Sequence, residues 1–465
     1  MKVTSKRFAG AAGIAAASAL VLSACSGGGE IGGETGGGTE SGDAGGGTAA
    51  EGCEDFEQYG KFPGTTVSLF SSIRDSEADD LQATFDKFTE CTGITVQHIG
   101  VGEFEQQLVV QVEGNNAPDL AIIPQPGLLQ RMVATGKVQP ADEATTAKVD
   151  EGWSPEWKTY GTVDGTFYAA PMLASVKSFV WYSPSAFEEG GYEVPTTLDE
   201  MMALTEKIAA DTAGDGSTKP WCAGIESGGA TGWPATDWIE DFVLRIAGPD
   251  AYDQWVTNEI PFNAPEILES TNGVGDYLLN NDFVNGGIGD SRSIATTSFN
   301  DGGLPILDNQ CYMYRMASFY EAQWPEGTTV APDGDVFAFY LPAETAEEHP
   351  LLVAGEFVAR FAETPEAAAV QDFMASGTFA NTRVELGGVT SANKAVDPAL
   401  ASSDILRLAI ELLQDPNSVA RFDGSDMMPS EVGAGSFWTG TTQWIDGQIV
   451  AETMLTNIQD SWPKG

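Results

Sequence analysis

Tryptophans set among carboxylates, in stretches rich in glycine, proline and serine, are the residues of this chain best suited to chemistry. Trp233 and Trp238 flank Asp237, and Phe437-Trp438 follows the loop Asp423-Gly424-Ser425-Asp426-Met427-Met428-Pro429. Flat rings stack on C–H faces, while carboxylates and amides hydrogen-bond at the edges of the same molecule. A hydroxylated ring presents both surfaces, so the pattern points to holding a sugar. Trp233 and Trp438 lie beside Gly, Pro or Ser, where a ring can face a cleft; Trp238 shares an i, i+4 stripe with Phe242 and suits a core equally well. Further candidates stand at strand-to-helix turns: Arg74 with Asp75, Glu103, Gln125 and Glu226. A carboxylate there accepts hydroxyls with charge assistance, or merely compensates a helix N-terminus. Asp237 and Asp426 join the candidate set, and Lys177 either reaches ligand or pairs with one of many acids.

The elements that must position these residues read as alternating strands and helices. Thr65 to Phe70 is β-branched and apolar, Leu81, Phe85 and Phe88 recur at helical spacing up to Gly93, and Ile94-Thr95-Val96 starts a second strand. An amphipathic segment runs from Gly102 through Leu108 and Val112, and Pro118 to Pro124 holds a short buried strand. The pattern restarts beyond Tyr168, with one long strand expected over Met172 to Tyr182, helices over Leu198 to Ala210 and Pro234 to Ile246, and strands over Asn309 to Ala317 and Val336 to Leu341. Helices are expected over Pro365 to Ser376 and Ser402 to Gln414. The fold class is α/β, and 465 residues favour two lobes over one core.

Charge and composition remove whole classes of function. Lys+Arg 22 against Asp+Glu 68 gives a net charge of −46, which repels a phosphate backbone, so no nucleic-acid partner is expected. With only His98 and His349, histidine metal sites and histidine bases have little to draw on; no metal and no cofactor are expected. Motifs for acyl transfer, phosphate cradling, zinc hydrolysis and dinucleotide binding are missing from any convincing context. The chain reads as a binding protein and not an enzyme. The enzyme alternative is a glycoside hydrolase, for which acids are plentiful but whose separation a sequence does not give. A scaffold or adhesion protein is the third class, and loop tryptophans among carboxylates argue against it.

The N-terminus reads as an address. Lys2, Lys6 and Arg7 precede an apolar run from Phe8 to Leu22, about 15 residues and so shorter than the roughly 20 of a spanning helix. It ends in Leu22-Ser23-Ala24-Cys25, which resembles the lipobox of bacterial lipoproteins. Residues 1–25 are therefore expected to be a signal peptide with an acylated Cys25. Loss of the basic leader takes the charge to −49, so anchoring would come from acyl chains. Residues 26–52 contain 13 glycines and one large apolar side chain, Ile31. They read as a flexible tether with a reach of about 29 Å. The expectation is an exported, lipid-anchored monomer on the outer face of a cell membrane. Cys53, Cys91, Cys222 and Cys311 remain as an even set in a disulfide-permissive compartment, with three possible pairings.

From about Thr65 to Trp462 the chain resembles the family of extracellular solute-binding proteins that serve ABC importers of sugars, related in design to maltose-binding protein. Glu103-Phe104-Glu105, Pro124-Gln125-Pro126-Gly127, Trp221 to Ser227 (WCAGIES), Ala230 to Trp238 (ATGWPATDW) and Gly435-Ser436-Phe437-Trp438 carry the resemblance, and resemble its alpha-glucoside-binding branch more closely still. The resemblance implies a two-lobed periplasmic-binding-protein-like fold, each lobe a sheet flanked by helices. The lobes are expected at 60–172 plus 336–378 and at 173–335 plus 379–465, with hinges near Pro171, Ala331 and Ala380. That layout favours Cys53 with Cys91 and Cys222 with Cys311, each pair within one lobe. It also implies that Phe319, in Ser318-Phe319-Tyr320-Glu321, brings an aromatic ring to the cleft. The implied partners are a carbohydrate, an alpha-glucoside or similar di- or oligosaccharide, and the membrane permease subunits of an importer. A non-sugar cargo is the alternative within the same design.

Overall fold

The computed structural model describes residues 52–214, 217–285 and 290–464. The expected signal peptide, Cys25 and the tether up to residue 51 lie outside the described residues. Among these, the chain forms thirteen strands: β1 (Thr65–Ser71), β2 (Ile94–Gly100), β3 (Leu120–Ile123), a hairpin of β4 (Thr162–Val163) and β5 (Thr166–Phe167), β6 (Ala169–Val176), β7 (Phe179–Tyr182), β8 (Lys219–Cys222), β9 (Val284–Asn285), β10 (Cys311–Arg315), β11 (Phe337–Tyr340), β12 (Pro350–Arg360) and β13 (Val419–Phe422). No described helix is long and apolar enough to cross a membrane.

Two sheets hold all of these strands except the β4–β5 hairpin, and each is the floor of one lobe. The first runs β13-β12-β3-β1-β2, with β6 also paired to β12; the second runs β11-β7-β10-β8-β9. In the first sheet β1 pairs in parallel with both β2 and β3. β3 is buried along its whole length. Such a strand must be apolar on both faces, and it alternates between two packed layers. Leu120 and Ile122 join the layer of Leu81, Phe85 and Phe88, while Ala121 and Ile123 join that of Phe104, Leu108 and Leu129. In the second sheet β10, β8 and β9 are parallel. Their core includes Trp221, Trp238, Phe242 and Tyr277, so Trp238 is a packing residue.

The crossings between lobes differ from those expected. The apolar stretch expected as one strand over Met172 to Tyr182 is split at Lys177-Ser178, with β6 in the first sheet and β7 in the second. A buried lysine and serine carry polar groups that no apolar sheet interior accepts, so the strand breaks where they find partners. β11, expected in the first lobe, pairs with β7 of the second. β13, expected in the second lobe, pairs with β12 of the first. The chain thus passes between sheets at Lys177-Ser178, between Tyr340 and Pro350, and at Asp423. Residues 432–461 then return to the second lobe, where Phe437, Trp444, Met454 and Ile458 share its core. The disulfides are Cys53–Cys91 and Cys222–Cys311, each with Cα atoms 5.4 Å apart. The second joins the end of β8 to the start of its neighbour β10.

Candidate functional site

The parallel strands of both sheets deliver their following loops to one cleft, as open α/β sheets do at the carboxyl ends of their strands. β1 leads to Arg74, β2 to Glu103 and Glu105, and β3 to Gln125. From the second sheet, β8 leads to Trp233, β9 to Phe299 and β10 to Phe319. Trp438 comes from the C-terminal segment, placed by Phe437 in the second core. A cavity of about 350 Å³ is lined by Arg74, Gln125, Trp233, Phe299, Phe319 and Trp438, among others. A contiguous one of about 370 Å³ shares Glu105, Gln125, Asp426 and Trp438 with it and adds Glu103.

The two walls differ in chemistry. Every ring comes from the second lobe: Trp233 and Phe299 have centroids 5.0 Å apart, and Phe319 lies 6.0 Å from Trp233. The first lobe supplies hydrogen-bonding groups. Gln125 Nε2 donates to Glu105 Oε1 at 3.2 Å, and the buried Gln125 Oε1 has no partner among the described residues. Trp438 Nε1 donates to Ser425 Oγ at 3.3 Å, which fixes its ring. Gly232, at φ +114, starts the helix Trp233–Phe242, and a Cβ there would stand 2.3 Å from the carbonyl oxygen of Trp438. Only glycine lets the two tryptophans' backbones approach so closely. At the cleft mouth Gly229 of the second lobe meets Glu103 of the first, and a Cβ would lie 2.5 Å from Glu103 Oε2.

Behind this cleft lies a buried ionic network that absorbs two expected ligand residues. Lys177 Nζ donates to Asp237 Oδ1 at 2.8 Å and to Asp423, while Arg315 bonds Asp237 Oδ2 at 3.1 Å and Asp241. Arg245 adds 2.5 Å to Asp241 Oδ1 and holds the carbonyls of Leu341, Pro342 and Pro350. Asp237 is fully buried with both oxygens occupied by cations, so it is a hinge residue and not a ligand group. Lys177 borders the cavity and lies 5.2 Å from the Trp233 ring centroid. Burial opposes the Lys177 charge, but Asp237 and Asp423 outweigh it and hold the ammonium's pKa above its ordinary value. Burial lifts Asp237 to about 6 against the pull of Lys177 and Arg315. Burial, with the nearby Asp423 charge, raises Glu240 and Asp426 well above their ordinary values. Both Glu240 oxygens accept backbone hydrogen bonds, from Gly424 N at 2.7 Å and Ser425 N at 3.1 Å.

The structure brings Arg74, Glu103, Gln125, Lys177, Trp233, Phe319, Asp426 and Trp438 to the cleft. It places two other candidates elsewhere. Asp75 is exposed on the first turn of the helix Asp75–Thr84, at φ +55, away from the cavity lining. Glu226 Oε1 accepts from Gly228 N at 2.7 Å, so the carboxylate shapes its own loop. Glu321 accepts from Ser403 at 2.7 Å. Glu105, Phe299, Glu77 and Glu356 were not singled out by type and spacing. Glu105 lies two positions after Glu103, a signal that could have found it; Phe299 sits in a polar stretch without periodicity and gave none.

A family model described as "bacterial extracellular solute-binding protein" matches residues 74–378. The chain is 36% identical over 420 residues to the alpha-glucosides-binding periplasmic protein AglE of Rhizobium meliloti, covering 88% of this chain and 89% of that one. It is 38% identical over 403 residues to the osmoprotective compounds-binding protein GgtB of Synechocystis, covering 86% and 92%. Among solved structures, a chitin oligosaccharide binding protein superposes with a TM-score of 0.70 at 17% identity, over 85% of this chain and 97% of that one. This last likeness concerns the fold.

Proposed function

Because the chain belongs to the bacterial extracellular solute-binding protein family, we propose that it captures a sugar between its two lobes, an alpha-glucoside in the first instance, and hands it to an ABC importer. One observation carries this reading: the rings of Trp233, Phe299, Phe319 and Trp438 face the polar groups of Arg74, Glu105 and Gln125 across one cleft. The rings take the C–H faces of the cargo, and the first lobe takes its hydroxyls. Cargo touching both walls favours the state in which both are in contact with it, so binding shifts the hinge toward closure.

No bond of the cargo is broken. Asp423 on the cleft wall and Asp237 behind it are tied to cations, and ATP hydrolysis falls to importer subunits outside this chain. The similarity to AglE supports an alpha-glucoside, and the similarity to GgtB makes other osmoprotective compounds the next cargo to try. The N-terminal leader and Cys25 support export and attachment by acyl chains, with the glycine-rich segment as spacer and the protein acting as a monomer.

Equilibrium dialysis of the purified protein against maltose, trehalose and sucrose, followed by chromatography of the recovered sugar, tests this function. One sugar retained intact is expected. Release of glucose would replace the receptor with a glycoside hydrolase, and retention of none would remove these sugars as cargo.

A further inference from the structure

The first-lobe wall carries a polar pocket that the aromatic site does not use. Glu356 of β12, Glu77 of the helix after β1 and Thr390 all line the cavity beside Gly388. Gly388 has φ +74, and a Cβ there would meet nothing within 4 Å, so the space above it is open cleft. The pairing of β12 with β6 slips register between Glu356 and Phe357. Such a bulge re-aims a side chain, and bulges concentrate near sites for that reason.

Several polar atoms in and behind this pocket are unspent. Glu356 Oε2 is shielded from solvent and has no hydrogen-bond partner among the described residues, and the same holds for Nε and Nη2 of Arg383. Arg383 is 1% exposed. Its Nη1 donates to the Gly387 carbonyl at 2.8 Å, which fixes the guanidinium, and Nη2 stands 4.0 Å from Glu77 Oε1. Buried polar groups are ordinarily satisfied, so several unsatisfied ones beside a cleft mark the place of a ligand. Two carboxyl groups with a buried guanidinium near one of them favour neither an anion nor a cation. They suit a group that donates and accepts at once, which is what a hydroxyl does. Burial and the neighbouring Glu77 push the Glu356 carboxyl up to about 8, so it too both donates and accepts at neutral pH.

We propose that Glu356 and Glu77, with Arg383 buried behind them, form a recognition subsite on the first lobe that takes two adjacent hydroxyls of the cargo ring whose faces the second lobe stacks. This rests on the sugar reading given above. Under it the aromatic wall accepts many sugars, and this pocket selects among them by hydroxyl geometry, because buried polar groups left unpaired reject the wrong isomer.

The test is calorimetric affinity for maltose, trehalose and sucrose, and then for monodeoxy forms of the sugar that binds, using the unaltered protein, Glu356→Leu and Glu77→Gln. Each variant is expected to bind the parent sugar about tenfold or more weakly, the order of a hydrogen bond lost at a buried polar site. Each is also expected to lose nothing further on the deoxy sugar that lacks the hydroxyl it holds. Glu77 is solvent-facing, so Glu77→Gln carries the test even if Glu356→Leu misfolds. Unchanged affinity, or equal losses on parent and every deoxy sugar, overturns the subsite while leaving the receptor standing. Failure of the unaltered protein to bind any of the three sugars overturns both.

Discussion

The ammonium of Lys177 bonds the carboxylate of Asp423 across 246 positions of sequence, each residue standing directly after the last residue of a strand of the first sheet. Strand β12 sets the meeting: Lys177 N donates to Leu352 O and Asp423 N to Val353 O, both at 2.8 Å. Two of the three crossings between lobes are therefore fastened to adjacent residues of one strand and to each other by charge. Asp237, at the helix behind Trp233, is the third member. The same lysine thus holds the hinge and backs the aromatic wall.

Replacing Lys177 by Met should destabilise the protein by about 3–5 kcal/mol, because Asp237 and Asp423 would be left as buried carboxylates without their shared cation. Denaturant unfolding of the variant measures this. A loss below about 1 kcal/mol would mean that the network is not needed for the fold.

Trp233→Ala and Trp438→Ala should each weaken sugar binding by about 1–3 kcal/mol, with circular dichroism unchanged, since each removes a stacking face from a cleft whose other walls persist. Calorimetric titration reads the loss. Trp238→Ala should instead lower stability by about 3–5 kcal/mol, because its ring packs on Trp221 and Tyr277 in the core.

Glu356 predicts a pH signature. Its carboxyl stands at about 8 in the folded protein against an ordinary 4.5, so the folded state holds this proton more tightly than the unfolded one. Its contribution to stability is complete below about pH 4.5, declines as pH rises toward 8, and stays lost above. Glu356→Gln has no such proton to lose. Its unfolding free energy should therefore gain on the unaltered protein between pH 5 and 8, with the gap widest at pH 8. A gap that does not change with pH would contradict this.

Cys25→Ser should move the protein from the membrane pellet to the soluble fraction of fractionated cells, because no charge attraction remains to a surface that is itself negative. Continued pelleting would refute the acyl anchor.

Much of the first lobe was legible because its strands are short, apolar and bounded by polar turns: β1, β2 and β3 fall where β-branched runs predicted them. The eleven-residue β12, which holds the hinge together, was not foreseen. It is buried on both faces, so Pro350 to Arg360 shows no alternation, and Gly355 and Glu356 interrupt its apolar run. Missing it displaced the expected crossings, since β13 and β6 belong wherever β12 is. That Trp233, Gln125 and Trp438 line a cleft was legible because loops that present rings and amides carry glycine and proline beside them. Asp237 was misassigned because a carboxylate between two tryptophans reads the same whether it faces a sugar or a buried lysine. Only the fold supplies Lys177 and Arg315 as its partners.

The most direct test of the account is thermal unfolding of the purified protein with and without maltose, trehalose and sucrose, with amino acids as controls. At 100 times the dissociation constant a cargo should add about 2.7 kcal/mol of stability. A rise in the unfolding midpoint with an alpha-linked disaccharide, lost in Trp233→Ala, is the predicted result. A midpoint that no sugar moves, or one that moves equally in Trp233→Ala, would contradict a sugar held against the aromatic wall.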